Sequence, residues 1–307
     1  MTRFQSEIDW IHGDAQSGAV ELANRAAALI MQFGGGWEGD DEMFKTELAD
    51  LCRRICRAQP SMASIVNLCN EVLYATERDG FSHGWRQPTT APHRASNAAL
   101  GFTAFLAHHA RRIANETLPY IHSGSLLLTH SHSSTVFAAL ARAHGAGKRF
   151  GVVCTESRPQ YDGVQMARRL AAEGIAVEVI ADATAALFIH GFYTLLIGAD
   201  AVSADGVINK VGTLGMALAA KQLGVPIYCL AGSEKFLPQG ASFDIEEKDG
   251  AEIVAPEKNL RGFNVYFDQT PLDLITKFFT EDGTLTANAV RERLQRTALH
   301  PLLHADD

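Results

Sequence analysis

The sequence predicts an α/β protein in which a helical N-terminal region precedes a domain built on a parallel sheet. Three observations carry this. At 307 residues, 47% of them hydrophobic, the chain can bury a sizeable core in two modest domains. Up to about residue 118, apolar residues recur at three- and four-residue spacings, the period of a helix with one buried face. From residue 119 the pattern changes to short continuous apolar runs between amphipathic segments, as strands of a sheet covered on both faces require.

The elements follow in order. GAVELANRAAALIMQFG and DDEMFKTELADLCRRICRAQP each set apolar side chains on one helical face and end at Gly or Pro. Residues 62–76 and 95–116 read the same way, with a polar connection, RDGFSHGWRQPTTAPHR, between them. Past Pro119, strands are predicted at 125–128, 150–154, 176–180, 194–197 and 226–231. Helices are predicted at 135–144, 163–173 and 213–223, stopped by Gly145, Gly174 and Gly224. The expected division is a helical domain over 1–118 and a Rossmann-like domain over 119–307.

Charge narrows the partners. The net charge is -8, from 27 basic and 35 acidic residues with no Lys/Arg-rich block, so no nucleic-acid partner is expected and any anion site has to be local. The five cysteines, Cys52, Cys56, Cys69, Cys154 and Cys229, are odd in number and mostly lie in apolar patterns, as reduced thiols of a cytoplasmic protein do. The start, MTRFQSEIDWIHGDAQSG, has no apolar core of signal-peptide type, and no run approaches the ~20 apolar residues of a membrane span. No membrane partner is expected.

Ligands of open parallel sheets sit outside the carboxyl ends of the strands, where helix N-termini converge. The residues just past the strands are therefore site candidates. They are Thr129 to Thr135 (THSHSST), Thr155 to Arg158, Asp182, Gly198-Ala199-Asp200 and Gly232 to Lys235. A small anion such as a sugar phosphate suits this rim. The start of the helix at Ser134 can hold a phosphate, aided by the hydroxyls of Ser133, Ser134 and Thr135. Arg158 can add a bidentate contact, and Lys210 or Lys235 a point charge. Each has a plainer alternative: Ser133 or Ser134 capping a helix, Arg158 pairing with a neighbouring Glu.

The densest stretch is IGADAVSADGVINKVGTLGMALAAK. Asp200 ends a buried strand and is a candidate general acid/base or sugar-hydroxyl acceptor; capping local amides is its structural alternative. Asp205-Gly206 reads as a tight turn, Asn209-Lys210 follows, and Gly212-Thr213 opens a helix. No metal is expected. His130 and His132 point to opposite faces of an extended segment, and neither they nor His108-His109 complete a ligand set. No cofactor is expected either, since no Gly-x-Gly-x-x-Gly follows the first strand.

LLTHSHSSTV, VVCTESRPQYDG, LIGADAVSADGVINKVGTLGMALAAK, PIYCLAGSEKF and NVYFDQTPLDLITKFFTEDG, with a fainter match at SGAVELANRAA, give the chain a specific resemblance. It resembles the family uniting the α, β and δ subunits of eukaryotic translation initiation factor 2B with ribose-1,5-bisphosphate isomerase and methylthioribose-1-phosphate isomerase. The resemblance implies an N-terminal helical domain, a C-terminal Rossmann-like domain, and a homodimer or higher homo-oligomer.

It also implies roles. In the isomerase branches a Cys and the Asp of a Gly-Ala-Asp motif form the acid/base pair that converts an aldose 1-phosphate to a ketose. Here the Asp matches Asp200, and the Cys position is Ser131. A thiol with a pKa of ~8.5 can exchange protons near neutrality, whereas an alcohol needs an adjacent base, here His130 or His132. The Arg-Gly-Ala that contacts phosphate in the isomerases reads Ser17-Gly18-Ala19. Arg158, Asn209, Lys210 and Lys235 match binding positions, and Thr280 to Gly283 matches a C-terminal signature read as structural or interfacial.

Two functions stay open at this point, with a different small-molecule enzyme on the same scaffold a third and weaker reading. One is a sugar-phosphate-binding protein that acts as an aldose-ketose isomerase, an intramolecular oxidoreductase, on a pentose phosphate such as ribose 1,5-bisphosphate. Asp200 and Ser131 would then be catalytic, and His130, His132, Ser133, Ser134, Arg158, Asn209, Lys210, Lys235, Ser17 and Gly18 would bind. The other is a non-catalytic regulatory protein resembling the α subunit of initiation factor 2B, sensing a sugar phosphate and binding a protein partner.

Overall fold

The N-terminal region is helical, as its periodicity predicts: α1 (Gln5–Gly13), α2 (Ala19–Gly35), α3 (Asp41–Ala58), α4 (Ala63–Glu77) and α5 (Ala91–Thr117). The structure, a computed structural model, describes residues 4–14, 17–78, 81–82, 85–86, 90–241, 243 and 245–304. Asp40 caps α3 by accepting the Met43 N–H at 2.8 Å, and Asp41 and Glu42 in the first turn and Arg57 in the last complement the helix dipole. The predicted polar connection holds two short paired strands, β1 (Phe81–Ser82) and β2 (Trp85–Arg86). Its last residues already belong to α5, which starts earlier than the periodicity indicates because Asp41 accepts the Ala91 N–H (2.9 Å).

The chain divides into two units. The first comprises residues 1–108, 234–243 and 294–307, and the second 109–233 and 244–293. In the first, α2, α3 and α4 pack on a core that includes Phe33 stacked on Phe44 at 5.3 Å. Two amides of α4 hold the returning segments: Asn67 donates to the carbonyls of Glu234 and Phe236 (both 2.9 Å), while Asn70 donates to Ala298 (3.1 Å) and accepts from His300 N–H (2.7 Å).

The second unit is built on seven strands: β3 (Leu126–Thr129), β4 (Gly151–Thr155), β5 (Ala176–Ile180), β6 (Thr194–Ile197), β9 (Ile227–Leu230), β13 (Lys277–Thr280) and β14 (Gly283–Leu285). Their order is β14-β13-β9-β6-β3-β4-β5, parallel throughout except for the antiparallel edge strand β14. The five strands read from the sequence are all present, shifted by at most a residue or two. Helices α6 (Ser134–Gly145), α7 (Asp162–Ala172), α8 (Ala185–Phe188), α9 (Thr213–Leu223) and α10 (Ala287–Leu294) complete it. Left-handed glycines stand just beyond α7 and α9, Gly174 (φ 80°) and Gly224 (φ 72°), where the sequence predicts the stops. Leu127, Val136, Leu140, Val152, Met166 and Leu196 are among the buried residues of the core between β3, β4, β6, α6 and α7.

A small second sheet, β12-β8-β7, is formed by β7 (Ala201–Val202), β8 (Val207–Lys210) and β12 (Phe267–Thr270). The Asp205-Gly206 turn joins β7 to β8, and Gly206 is required there because a Cβ would lie 2.4 Å from the Thr270 carbonyl oxygen. A two-stranded pair, β10 (Glu247–Lys248) with β11 (Asn264–Val265), closes the loop that precedes β12. None of these strands is legible as one in the sequence, each being only two to four residues long, and β12 pairs with β8 from a distant part of the chain.

Candidate functional site

After β3 the chain runs outward to β4 and β5, then returns to the opposite side of β3 to lay down β6, β9 and β13. The carboxyl ends of β3 and β6 therefore flank the point where the strand order reverses, the crevice in which such sheets bind ligands. The walls approach closely: a Cβ on Gly198, just past β6, would stand 2.5 Å from Ser133 Oγ. Ser133 caps α6, its hydroxyl accepting the Val136 N–H at 3.3 Å, which leaves the amide-rich first turn of that helix facing this end of the sheet.

His130 is buried, 1% exposed, and bonded at both ring nitrogens. Nε2 lies 3.0 Å from the Val211 carbonyl, which can only accept, so Nε2 carries the proton. Nδ1 then accepts from the Thr155 hydroxyl at 2.5 Å, with Ser157 Oγ at 3.3 Å. Burial pushes the imidazole below its ordinary value; the Val211 carbonyl and Asp182 oppose that push, and the Lys210 ammonium reinforces it. His130 thus clips the end of β3 to the ends of β4 and β8 as a neutral ring. His132, half-buried, accepts from Arg169 Nη1 at 2.6 Å.

Ser131 adopts a left-handed conformation (φ 67°), and its N–H donates to Ser157 Oγ at 2.9 Å. Ser157 (φ 59°) and Tyr161 (φ 59°) are left-handed too, so three of the five non-glycine residues with positive φ among the described residues lie on this rim. Such conformations cost of order 1 kcal/mol or more each, and they persist where surrounding contacts impose them. For Ser157 the contact comes from Asp182, whose carboxylate accepts the N–H of Ser157 (2.7 Å) and of Arg158 (2.8 Å). The arginine is thereby presented at the surface, its guanidinium donating to the Tyr161 hydroxyl. Gly163 lets α7 begin directly against β4, since a Cβ there would fall 1.7 Å from the Thr155 carbonyl oxygen.

On β8, Lys210 is 5% exposed and pairs with Asp162 at 2.6 Å, while its ammonium lies 5.0 Å from the centre of the Tyr266 ring. Its charge is therefore already accompanied by that of Asp162. Asn209 is buried and donates to Thr213 Oγ1 at 3.0 Å, which in turn donates to the Lys210 carbonyl at 2.6 Å. The next helix start, at α9, already holds an anion: Asp268 accepts the N–H groups of Gly212 (2.7 Å) and Leu214 (3.1 Å), and burial raises its carboxyl above the usual value against those two bonds. Asp200 stands half-buried between β6 and β7, its N–H bonded to the Ile208 carbonyl at 2.9 Å.

The structure therefore places His130, Ser131, His132, Ser133, Ser134, Arg158, Asp200, Asn209 and Lys210 in the second unit, on the loops and strand ends around this rim. Ser17, Gly18 and Lys235 belong to the first unit. There the Ser17 N–H donates to Asp14 at 2.9 Å, Gly18 caps α2, and Lys235 is buried at the end of the turn Ser233–Lys235. Glu281, from the C-terminal signature, accepts the Ser233 N–H (3.0 Å) and pairs with Arg293 (3.1 Å), a structural use within the second unit. Among the described residues no His/Cys/Asp/Glu group could hold a metal ion, and no helix is long and apolar enough to cross a membrane.

The sequence reading did not single out Asp162, Asp268 or Tyr266. Asp162 is the first residue of α7 and Asp268 lies opposite Asn209 on β12, so their partners lie 48 residues along the chain for Asp162 and 56 and 54 residues for Asp268. The one local signal was the YFD triplet inside an already matching motif.

Residues 15–287 match the model of the initiation factor 2 subunit family. A Pyrococcus horikoshii protein named putative translation initiation factor eIF-2B subunit 2-like is 33% identical over 267 residues, 87% of this chain and 90% of that one. The ribose 1,5-bisphosphate isomerase of Archaeoglobus fulgidus is also 33% identical, over 276 residues, 87% of this chain and 85% of its own. Among solved structures, the Pyrococcus horikoshii translation initiation factor eIF-2B superposes with a TM-score of 0.80 at 30% identity, covering 93% of this chain and 97% of that one. With matching motifs, a matching fold and a model match over most of its length, this chain belongs to the initiation factor 2 subunit family.

Proposed function

We propose that this protein binds a sugar phosphate in the crevice between the ends of β3 and β6 and holds it as a ligand rather than isomerising it. The observation that carries the reading is the rim itself, a helix start with hydroxyls beside a strained turn that presents an arginine, at the point where the strand order reverses. A phosphate group would be received by the first-turn amides of α6, with Ser133, Ser134 and Thr135 around it and Arg158 donating two N–H groups. Asp200 and Asn209 would take the sugar hydroxyls. The Lys210–Asp162 pair would orient the ligand with little net charge. No metal or cofactor enters this account.

Ser131 supports binding over turnover. An alcohol needs a base to exchange protons near neutrality, and the adjacent His130 has one nitrogen protonated toward Val211 and the other receiving a hydroxyl. Isomerisation of a pentose phosphate is the second reading, favoured by the 33% identity to a ribose 1,5-bisphosphate isomerase and by Asp200. In it Asp200 moves the proton between substrate carbons or oxygens, and Ser131 replaces the thiol with help from His132.

The test incubates the purified protein with ribose 1,5-bisphosphate, methylthioribose 1-phosphate and common pentose and hexose phosphates, following thermal shift and product together. Stabilisation without product is the expected result. Product formed by the wild type and lost in Asp200→Asn would establish the isomerase instead. If no compound raises the melting temperature, the pocket reading fails in both forms. Ser131→Cys then asks whether the thiol alone was missing.

A further inference from the structure

We infer that Glu252 is a positioning residue for this rim, a role that rests on the proposed binding site. It lies outside the rim, on the loop between β10 and β11, in a single 3-10 turn, Gly250–Glu252, capped by Asp249. The loop is drawn shut at its base, where the backbones of Gly250 and Gly262 touch so closely that a Cβ on Gly262 would meet the Gly250 carbonyl oxygen at 2.1 Å.

From that fixed base the Glu252 carboxylate reaches three donors on different elements. It accepts from Tyr266 Oη (2.6 and 2.8 Å), from Gln160 Nε2 (2.9 Å) and from Asn264 Nδ2 (2.8 Å). Gln160 also donates to Tyr266 Oη at 2.7 Å, which closes a three-membered clasp of carboxylate, phenol and amide.

Two of the three arms, Gln160 and Tyr266, lead to groups of the proposed binding site. Gln160 lies in the Ser157 to Tyr161 turn, two residues from Arg158, so fixing its side chain fixes the turn at the end opposite to Asp182. The Tyr266 ring lies under the Lys210 ammonium, and the Tyr266 carbonyl accepts the Val211 N–H at 2.8 Å, while the Val211 carbonyl in turn accepts from His130. One carboxylate, itself exposed, thus steadies both the arginine side and the lysine side of the rim. Burial and the Glu252 carboxylate both hold the Tyr266 phenol well above its ordinary pKa.

The experiment compares the wild-type full chain with Glu252→Ala and Glu252→Gln. The direct readout is hydrogen exchange of the peptide covering 155–162, with 176–180 on β5 as the internal reference. Losing a charge-assisted bond should speed exchange in Glu252→Ala by about ten-fold or more, while Glu252→Gln, whose amide oxygen still accepts from Tyr266, stays within about three-fold of wild type. Ribose 1,5-bisphosphate affinity should follow the same order, with circular dichroism melting curves of the three proteins nearly superimposed. Unchanged exchange at 155–162 in Glu252→Ala overturns the inference, and so does an equal loss in both variants, which would make charge rather than position the cause. A wild type that binds no sugar phosphate, with the exchange pattern as expected, would remove the proposed ligand and leave the positioning intact.

Discussion

Asp182→Ala removes the carboxylate that holds the β4–α7 turn, and the structure sets the size of the effect. Two N–H···O bonds are lost, from Ser157 at 2.7 Å and Arg158 at 2.8 Å. Ser157 is fully buried, so water cannot replace its acceptor, and an unmade buried donor costs about 1–3 kcal/mol. Arg158 is exposed and its N–H rehydrates, so only the net bond, about 0.5–1.5 kcal/mol, is lost there. The sum is about 1.5–4.5 kcal/mol, with the left-handed conformation of Ser157 losing its support. Asp182→Asn should fall between, because one oxygen can still accept while the amide nitrogen faces the second donor. The assay is urea denaturation followed by far-ultraviolet circular dichroism. Tryptophan fluorescence is unsuitable, since Trp10, Trp37 and Trp85 all lie in the first unit and would not report on the second. A loss below about 0.5 kcal/mol in Asp182→Ala, or equal losses in the two variants, would refute the account of the turn.

Three further outcomes are expected. Burial lowers the pKa of His130, so below the ordinary value of 6.5 the unfolded chain binds a proton that the native ring does not. Its contribution is complete above that pH and is lost as pH falls through it, by about 1.4 kcal/mol per pH unit until the native ring also titrates, so the advantage of wild type over His130→Gln should shrink in urea midpoints taken from pH 7.5 down to 5.5. Lys210→Met strands the Asp162 carboxylate in a site where the two side chains are 7% and 11% exposed, and should cost about 3–5 kcal/mol; adding Asp162→Asn should recover part of it, and full additivity in the double-mutant cycle would deny the pair. Gly163→Ala drives a Cβ into a backbone oxygen and should cost more than about 3 kcal/mol, whereas Gly215→Ala, in α9 with nothing within 4 Å, should gain about 0.5–1 kcal/mol in the same urea denaturation.

The local grammar of the chain was legible from its residues. The apolar runs at 126–129, 151–155 and 194–197 suit strands of a sheet covered on both faces, and the glycines at 174 and 224 relieve the backbone where helices end. Since ligands of such sheets sit at the carboxyl ends, the rim residues followed from strand positions alone, Ser131 and Arg158 among them. Tertiary structure alone decided which of these groups are already engaged. That His130 is bonded at both nitrogens, that Lys210 is paired with Asp162, and that Asp268 occupies the start of α9 all depend on contacts between residues 25 to 81 positions apart. A periodicity or a turn signal extends over one element, whereas a proton's location and a charge's partner depend on which elements meet. The octet Thr129 to Val136 could therefore be recognised as a rim from its neighbours in sequence, and only its neighbours in space show that His130 is a neutral clip.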